Sequence, residues 1–426
     1  MKLSQHFKNR SPSSIRRAQI KFNQRKDKGS IDVINLAIGN ISMPIYPAMR
    51  KRLTELGTER FSDGIIKYTP TPGIDEARNA FLNILKAEGL DSTSILSMVT
   101  DGGSAAMELM LLGVCGPSSK RPLLILDPTY TNYTEFSKRL SIPTISTTRV
   151  IDQNGEFSKI NAKEIESLVI KHDPAGILFI PYDNPTGQFL TQDFIVKIAK
   201  IAVKHDIWLI SDEAYRSLYY KEEILSSIWS LNEETVKGVT GRRISIESAS
   251  KVWNACGLRI GGLLTDNKEF HEKAISEYTA NLCANALGQE IFGAMASEPH
   301  NKIQKWEENQ REYYRLNLFD LKTEFQKQIP GLIVTQPEAA IYFILDFKNL
   351  VEENFHANDF IDYCATVGKV DLNGNLHTLL LAPMSGFYID EKIGKCQLRV
   401  AMVDTPQRMR LAPKILSKLF TDYVNE

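Results

Sequence analysis

The sequence predicts an α/β fold: a large domain on a mostly parallel sheet with helices on both faces, then a smaller α+β domain. Three observations carry that expectation. From about residue 95 to 265, short and continuously apolar runs alternate with amphipathic stretches. That is the pattern of strands buried on both faces and separated by helices. A long polar stretch near Asn301–Gln326, rich in Lys, Glu and Arg, then reads as a connecting helix. Beyond it, strand-like and helix-like segments mix without that alternation.

Taken in order, the first 28 residues hold nine Lys/Arg and one acid, Asp27. Two readings fit them: an organellar transit peptide, or a solvated helix over Ser14–Lys28 packed on the body. The second is adopted, with Arg16, Arg17, Arg25 and Lys26 on the exposed face, because the segment runs directly into a strand-like stretch, Val33–Ile38. Leu96–Thr100 reads as a strand and Ser104–Cys115 as a helix. Leu123–Leu126 is a strand closed by Asp127-Pro128, and Gly176–Ile180 is another. Gln192–Lys204 is a helix. Ile207–Ser211, Ile244–Glu247 and Gly262–Thr265 complete the strands of the first part. In the second part Leu332–Thr335, Ala340–Leu345, Thr378–Leu381 and Gln397–Val403 read as strands, and Ala357–Val367 and Thr405–Phe420 as helices.

Composition narrows the function. The 426 residues are 43% hydrophobic and 24% charged, with Lys+Arg and Asp+Glu balanced at 51 each. Such a balance gives no global attraction to nucleic acid or anionic membrane. No apolar run approaches the roughly 18 residues of a membrane span. Five scattered cysteines form no C-x-x-C pair and read as reduced, intracellular thiols. Seven dispersed histidines give no metal-binding cluster. The expected location is cytoplasmic.

The chemistry-bearing motifs fall at the carboxyl ends of the expected strands, where open α/β sheets bind ligands. Ser248-Ala249-Ser250-Lys251, followed by Gly257, Arg259 and Gly261, suits an amine that holds an aldehyde beside a phosphate. Thr100-Asp101-Gly102-Gly103-Ser104 joins a strand to a helix. It reads as an ordinary capped turn or as a phosphate site, with Ser104 both capping the helix and donating. Asp183-Asn184-Pro185-Thr186-Gly187 is a turn that also offers the Asn184 amide at a strand end. Asp212, in Ser211-Asp212-Glu213-Ala214-Tyr215, is a surface-turn acid or a carboxylate awaiting a cation such as a protonated pyridine; Tyr215 can reach the same ring. Tyr130 packs in the core or stacks on a flat ring. Arg399, among the apolar residues of Gln397–Ala401, forms a structural ion pair or clamps a carboxylate.

The order and spacing of these motifs resemble the fold-type I pyridoxal-phosphate aminotransferases of class I/II, the family that includes aspartate aminotransferase. The likeness runs from about Ser11 to Tyr423. It implies a seven-stranded sheet, an N-terminal segment over 1–45, a large cofactor domain over 46–300, and a small domain over 301–426 entered by a helix at 301–328. It implies pyridoxal 5′-phosphate as cofactor and Lys251 as the Schiff-base lysine. Asp212 corresponds to the acid on the pyridine nitrogen, and Asn184 and Tyr215 to donors to the phenolic oxygen. Tyr130 corresponds to the stacking ring. Gly103, Ser104, Ser248 and Arg259 match the phosphate cradle, and Ser250 belongs to the same cofactor-binding run. Tyr68, in Lys67-Tyr68-Thr69-Pro70, matches a tyrosine supplied by the partner of a homodimer, Arg399 the α-carboxylate clamp and Gly39 a loop beside the substrate. The implied reaction is ping-pong transfer of an amino group from an L-amino acid, with aspartate leading, to 2-oxoglutarate.

Two segments depart from the family pattern: Ala37-Ile38-Gly39-Asn40, and Met384 within Ala382–Tyr388. Both bear on substrate choice. An aspartate substrate requires a second cation for its side chain, which the sequence alone does not single out. Rival readings are a lyase, decarboxylase or oxidase on the same fold, and a regulatory protein with a DNA-binding extension, for which about 30 residues before the first strand are too few. A nucleotide-binding protein lacks its glycine-rich fingerprint.

Overall fold

The computed structural model describes residues 1–222 and 225–425. Its central sheet has seven strands, in spatial order Leu96–Asp101, Ile260–Thr265, Arg243–Ser248, Trp208–Asp212, Gly176–Phe179, Leu123–Asp127 and Thr144–Thr148. Neighbours are parallel except around Ile260–Thr265, which runs antiparallel to both of its partners. The expected mostly parallel α/β fold is therefore the one observed.

Alternation within each strand explains the layers. Leu124, Leu126, Ile177, Phe179 and Leu209 face one core, shared with Ala77, Phe81, Ile84, Ile165, Ile195 and Ile198. Leu123, Ile125, Leu178, Ile210, Ile244 and Ile246 face the other, shared with Met107, Met110, Phe270 and Ala274. A parallel sheet needs apolar cover on both faces, and these helices supply it. Helix Gln192–Lys204 matches its expected bounds; Thr191 caps it by accepting from the Phe194 N–H.

Beyond the sheet, helix His300–Gln328 spans 29 residues, about 43 Å at 1.5 Å per residue. Its buried stripe, Ile303, Glu307, Gln310, Tyr314, Leu318, Leu321 and Phe325, keeps the three-to-four spacing of a single helix face. Two smaller sheets follow. One is antiparallel, in order Ala382–Pro383, Gln397–Ala401, Tyr342–Asp346 and Ile333–Val334. In the other, Ile31–Asn35 pairs in parallel with Asn375–Leu380, which pairs antiparallel with Val370–Leu372.

Several boundaries differ from expectation. The strand expected over Val33–Ile38 is Ile31–Asn35. Leu36 already bridges two sheets: its N–H donates to the Leu380 carbonyl, and its own carbonyl accepts from Ala401. The expected helix Thr405–Phe420 is split into Pro406–Met409 and Ala412–Asn425, because Pro413 has no N–H and is tolerated only in a first turn. Helix Gly102–Val114 starts two residues early, with Asp101 at its N-cap position and Ser104 inside the first turn, so Ser104 is not the cap.

The N-terminal helix is Ser14–Asn23, with Ala18 and Phe22 buried. Arg25 is not on an exposed face. It is 7% exposed and donates to the carbonyls of Cys364, Val367 and Gly368 at 2.9–3.2 Å. These lie where helix Ala357–Thr366 ends and its carbonyls lack helical partners. Asp27 holds the same guanidinium at 3.0 Å. Arg25→Ala takes the Gly368 carbonyl's donor away and leaves the Cys364 carbonyl with the Thr378 hydroxyl alone, and is expected to destabilise the protein by about 1–3 kcal/mol. A urea unfolding midpoint unchanged from wild type would contradict this.

Candidate functional site

Five strands end at one edge of the central sheet: Leu96–Asp101, Leu123–Asp127, Gly176–Phe179, Trp208–Asp212 and Arg243–Ser248. A cavity of about 540 Å³ opens there. Gly39, Gly103, Ser104, Tyr130, Asn184, Asp212, Tyr215, Ser248, Ser250, Lys251, Arg259 and Arg399 all line it. Tyr68 does not. It is 79% exposed on the surface of the single chain.

One wall gathers groups suited to an anion. Gly102 has φ +73, which turns the chain from strand to helix without a loop residue. A Cβ there would sit 2.4 Å from the Arg259 guanidinium. The first turn of the helix, the Ser104 and Ser248 hydroxyls and Arg259 thus face one space, with the positive end of the helix dipole beside them. Ser248 also accepts from the Ser250 N–H at 3.1 Å, which shapes the turn before Lys251.

Lys251 Nζ donates to the Gly39 carbonyl. Gly39 is needed for closeness: a Cβ would lie 2.7 Å from both Lys251 Nζ and the Tyr342 hydroxyl. Asp212 is 4% exposed. Tyr133 donates to it at 2.7 Å and the Ala214 N–H at 3.1 Å. Neither is a cation, and burial pushes the Asp212 carboxyl up to about 6.

Arg399 is 1% exposed and sandwiched between rings, 4.2 Å from the Tyr342 centroid and 4.8 Å from that of Phe387. It donates to Asn184 Oδ1 and to the Ala37 carbonyl, both at 2.6 Å. Its Nε is buried without a partner among the described residues. A guanidinium facing only neutral acceptors is suited to an incoming carboxylate. With Asn184 Oδ1 engaged, the Asn184 amide group is left as a donor. The Tyr215 and Tyr342 hydroxyls share a hydrogen bond of 2.6 Å.

The site hangs on a buried ionic cluster. Arg216 reaches Glu88 at 2.6 Å, Glu247 at 2.7 Å and Glu213 at 3.1 Å, all with side chains at most 5% exposed. Glu213 also accepts from Ser211, Ser227 and the Ile228 N–H. Asp212 and Tyr215 flank this cluster on one strand end, and Ser248 on the next. Arg149 pairs with buried Asp183 at 2.7 Å and with the Pro128 carbonyl at 2.7 Å, tying the Tyr130 turn to the Asn184 turn.

Sequence reasoning missed Tyr342, Phe387 and Tyr133. Tyr342 sits at the head of an apolar run, Tyr342–Leu345, and Phe387 within a segment noted only for departing from pattern; neither carried a chemical signal. Tyr133 lies one helical turn from Tyr130, and that spacing is the one hint it left.

Comparison with known proteins decides the family. The profile of "Aminotransferase class I and II" matches residues 31–411. The chain belongs to that aminotransferase family. An aspartate aminotransferase of Sulfurisphaera tokodaii is 26% identical over 344 residues, 79% of each chain. A probable kynurenine–oxoglutarate transaminase of Saccharomyces cerevisiae is 25% identical, covering 77% of this chain and 72% of the relative. Among solved structures, a Thermus thermophilus aspartate aminotransferase double mutant superposes with TM-score 0.79 at 20% identity, over 98% of this chain and all of that one. N-succinyldiaminopimelate aminotransferase of Mycobacterium tuberculosis has the same TM-score and identity. These last two establish the shared fold. No helix of the described residues is long and apolar enough to cross a membrane, and no cluster of His, Cys, Asp and Glu among them could hold a metal ion.

In this aminotransferase the raised Asp212 value has a defined sign. Its folded value, about 6, exceeds the roughly 3.9 of a free aspartate. The cost of the charge is therefore full above about pH 6 and absent below about pH 4. Asp212→Asn should raise the stability of the ligand-free enzyme by on the order of 3 kcal/mol at pH 8, with the gain vanishing toward pH 4. Equal urea midpoints for variant and wild type at pH 8 would refute this.

Proposed function

We propose that this aminotransferase uses pyridoxal 5′-phosphate to move the amino group of an L-amino acid, with aspartate leading, to 2-oxoglutarate in two ping-pong half-reactions. One observation carries the reading: a lysine amine, a buried carboxylate without a protein cation and a buried arginine with an unpartnered Nε line a single cavity. The donor set fits the cofactor at each end. When bound, pyridoxal phosphate supplies an aldehyde and an electron-withdrawing pyridinium. Asp212 would hold the proton on the pyridine nitrogen, and that ion pair would relieve the burial cost of its own charge. The Asn184 amide and Tyr215 hydroxyl would donate to the phenolic oxygen. Gly103, Ser104, Ser248, Ser250, Arg259 and the helix start would hold the phosphate, and Tyr130 would stack on the ring.

Arg399 clamps the substrate α-carboxylate, which orients the Cα–H bond. Gly39 keeps the substrate loop close to Lys251. Lys251 Nζ then takes the α-proton and later returns it, a general base and acid fixed at one point. Aspartate leads because curated relatives at 24–26% identity carry that name.

We further propose the division into 1–45, 46–300 and 301–426, and a homodimer in which Tyr68 completes the partner's phosphate site. Support for the dimer is the exposed apolar set Ile65, Ile66, Tyr68 and Leu282, which a partner surface would cover. A cytoplasmic location is supported by five free thiols.

The purified holoprotein is expected to be yellow, its visible band shifting when an amino donor is added and a 2-oxo acid is released. Lys251→Ala abolishes that conversion; near-normal turnover would overturn the reading. Arg399→Ala is expected to raise KM about 10–100-fold for every amino acid, the worth of hydrogen bonds to a charged group. A KM unchanged in that variant removes Arg399 from the substrate site.

A further inference from the structure

A dicarboxylic substrate has a second anionic end that Arg399 does not serve. A carboxylate drawn out of water needs a cation or a set of donors at that end. Among the described residues lining the cavity, the cations are Arg16, Lys251, Arg259 and Arg399. Three are engaged: Lys251 with the Gly39 carbonyl, Arg259 with the Cys256 carbonyl at 3.0 Å, and Arg399 with Asn184 and Ala37. Arg16 is not. Its side chain makes no hydrogen bond or ion pair with any described residue. It is exposed at the cavity mouth, and its charge reaches the Tyr130 hydroxyl on the cavity wall.

Arg16 is held there by its neighbours. Arg17 and Lys21 both pair with Asp362, Lys21 at 2.6 Å. Ala18 and Phe22 are buried beneath the same helix, and Arg25 is anchored on the carbonyls after Ala357–Thr366. Two consecutive turns and the chain just beyond the helix are thus fixed on the C-terminal part of the chain, while Arg16 alone of these cations borders the cavity. Charge at the mouth is uncompensated. Asp212 is the one carboxylate among the described lining residues, and it is buried beside Tyr133. An anionic group entering past Arg16 therefore meets attraction with no opposing acid.

We infer that Arg16 binds the side-chain carboxylate of a dicarboxylic amino acid or 2-oxo acid, and so sets the preference for acidic substrates. The inference rests on the aminotransferase reading, with Arg399 as the α-carboxylate clamp. A guanidinium suits this task, since its planar fork meets a carboxylate through two parallel hydrogen bonds.

Succinate and butyrate isolate the interaction, because they differ by the distal carboxylate. Their binding to the holoenzyme is measured by calorimetry, without turnover. Wild type should bind succinate at least tenfold more tightly than butyrate. Arg16→Gln should bring that ratio toward one, and Arg16→Lys should restore part of it. The same ratio in Arg16→Gln as in wild type, or no preference in wild type, overturns the inference and leaves the aminotransferase reading standing. That reading fails by a different outcome: no amino acid shifts the cofactor band of wild type, and the role of Arg16 falls with it.

Discussion

Arg216 and its three glutamates are the constraint on which the site depends. A guanidinium taken out of water is tolerated only if its charge is answered on the spot. Here the answer comes from Glu88 after helix Asp75–Ala87, Glu213 after one strand and Glu247 within the next. Satisfying Arg216 therefore sets the relative positions of a helix end and two strand ends. Asp212, Tyr215, Ser248 and Lys251 inherit those positions along the backbone. Breaking one arm would leave a buried carboxylate without its cation, so the cluster resists small distortions more stiffly than apolar packing alone would.

Around that fixed frame, the cavity holds charges that the protein answers incompletely. Asp212 receives a hydroxyl and an N–H, and Arg399 receives an amide oxygen and a carbonyl. Each is kept from collapsing onto a counter-ion by its neighbours: Tyr133 for the acid, Tyr342 and Phe387 for the arginine. The energy withheld in folding is available to a ligand of opposite sign. The stacked rings also limit the rotation of the Arg399 plane, which favours one angle of approach for a carboxylate.

The sheet was legible because its strands are apolar on both faces and end in turn residues; Leu123–Leu126 and Gln192–Lys204 needed no tertiary information. Thr144–Thr148 was not legible, since a partly exposed edge strand of Thr and Ser has no apolar signature. The motif residues were readable because Lys251, Asp212, Asn184 and Arg399 are polar groups in places that punish polarity. Tyr342 escaped because a tyrosine in an apolar strand looks like core. Arg25 and Arg16 had the same appearance in a basic segment; which of them would cap buried carbonyls and which would border the cavity depended on where residues 362–368 fold. Such long-range pairing leaves no local trace.

The parallel pairing of Ile31–Asn35 with Asn375–Leu380 also fixes the order in which the chain can mature on the ribosome. At about 5–20 residues per second, the first strand waits roughly 17–70 s for its partner to be made. During that interval its unpaired edge and the apolar face of the N-terminal helix have no native cover, while the strands of the central sheet emerge and can pair. Closing this contact across nearly the whole chain is an entropic cost met late. The mouth of the cavity, which includes the first turn of that helix, is therefore completed after its walls, and nascent chains are most open to misassociation through their earliest residues.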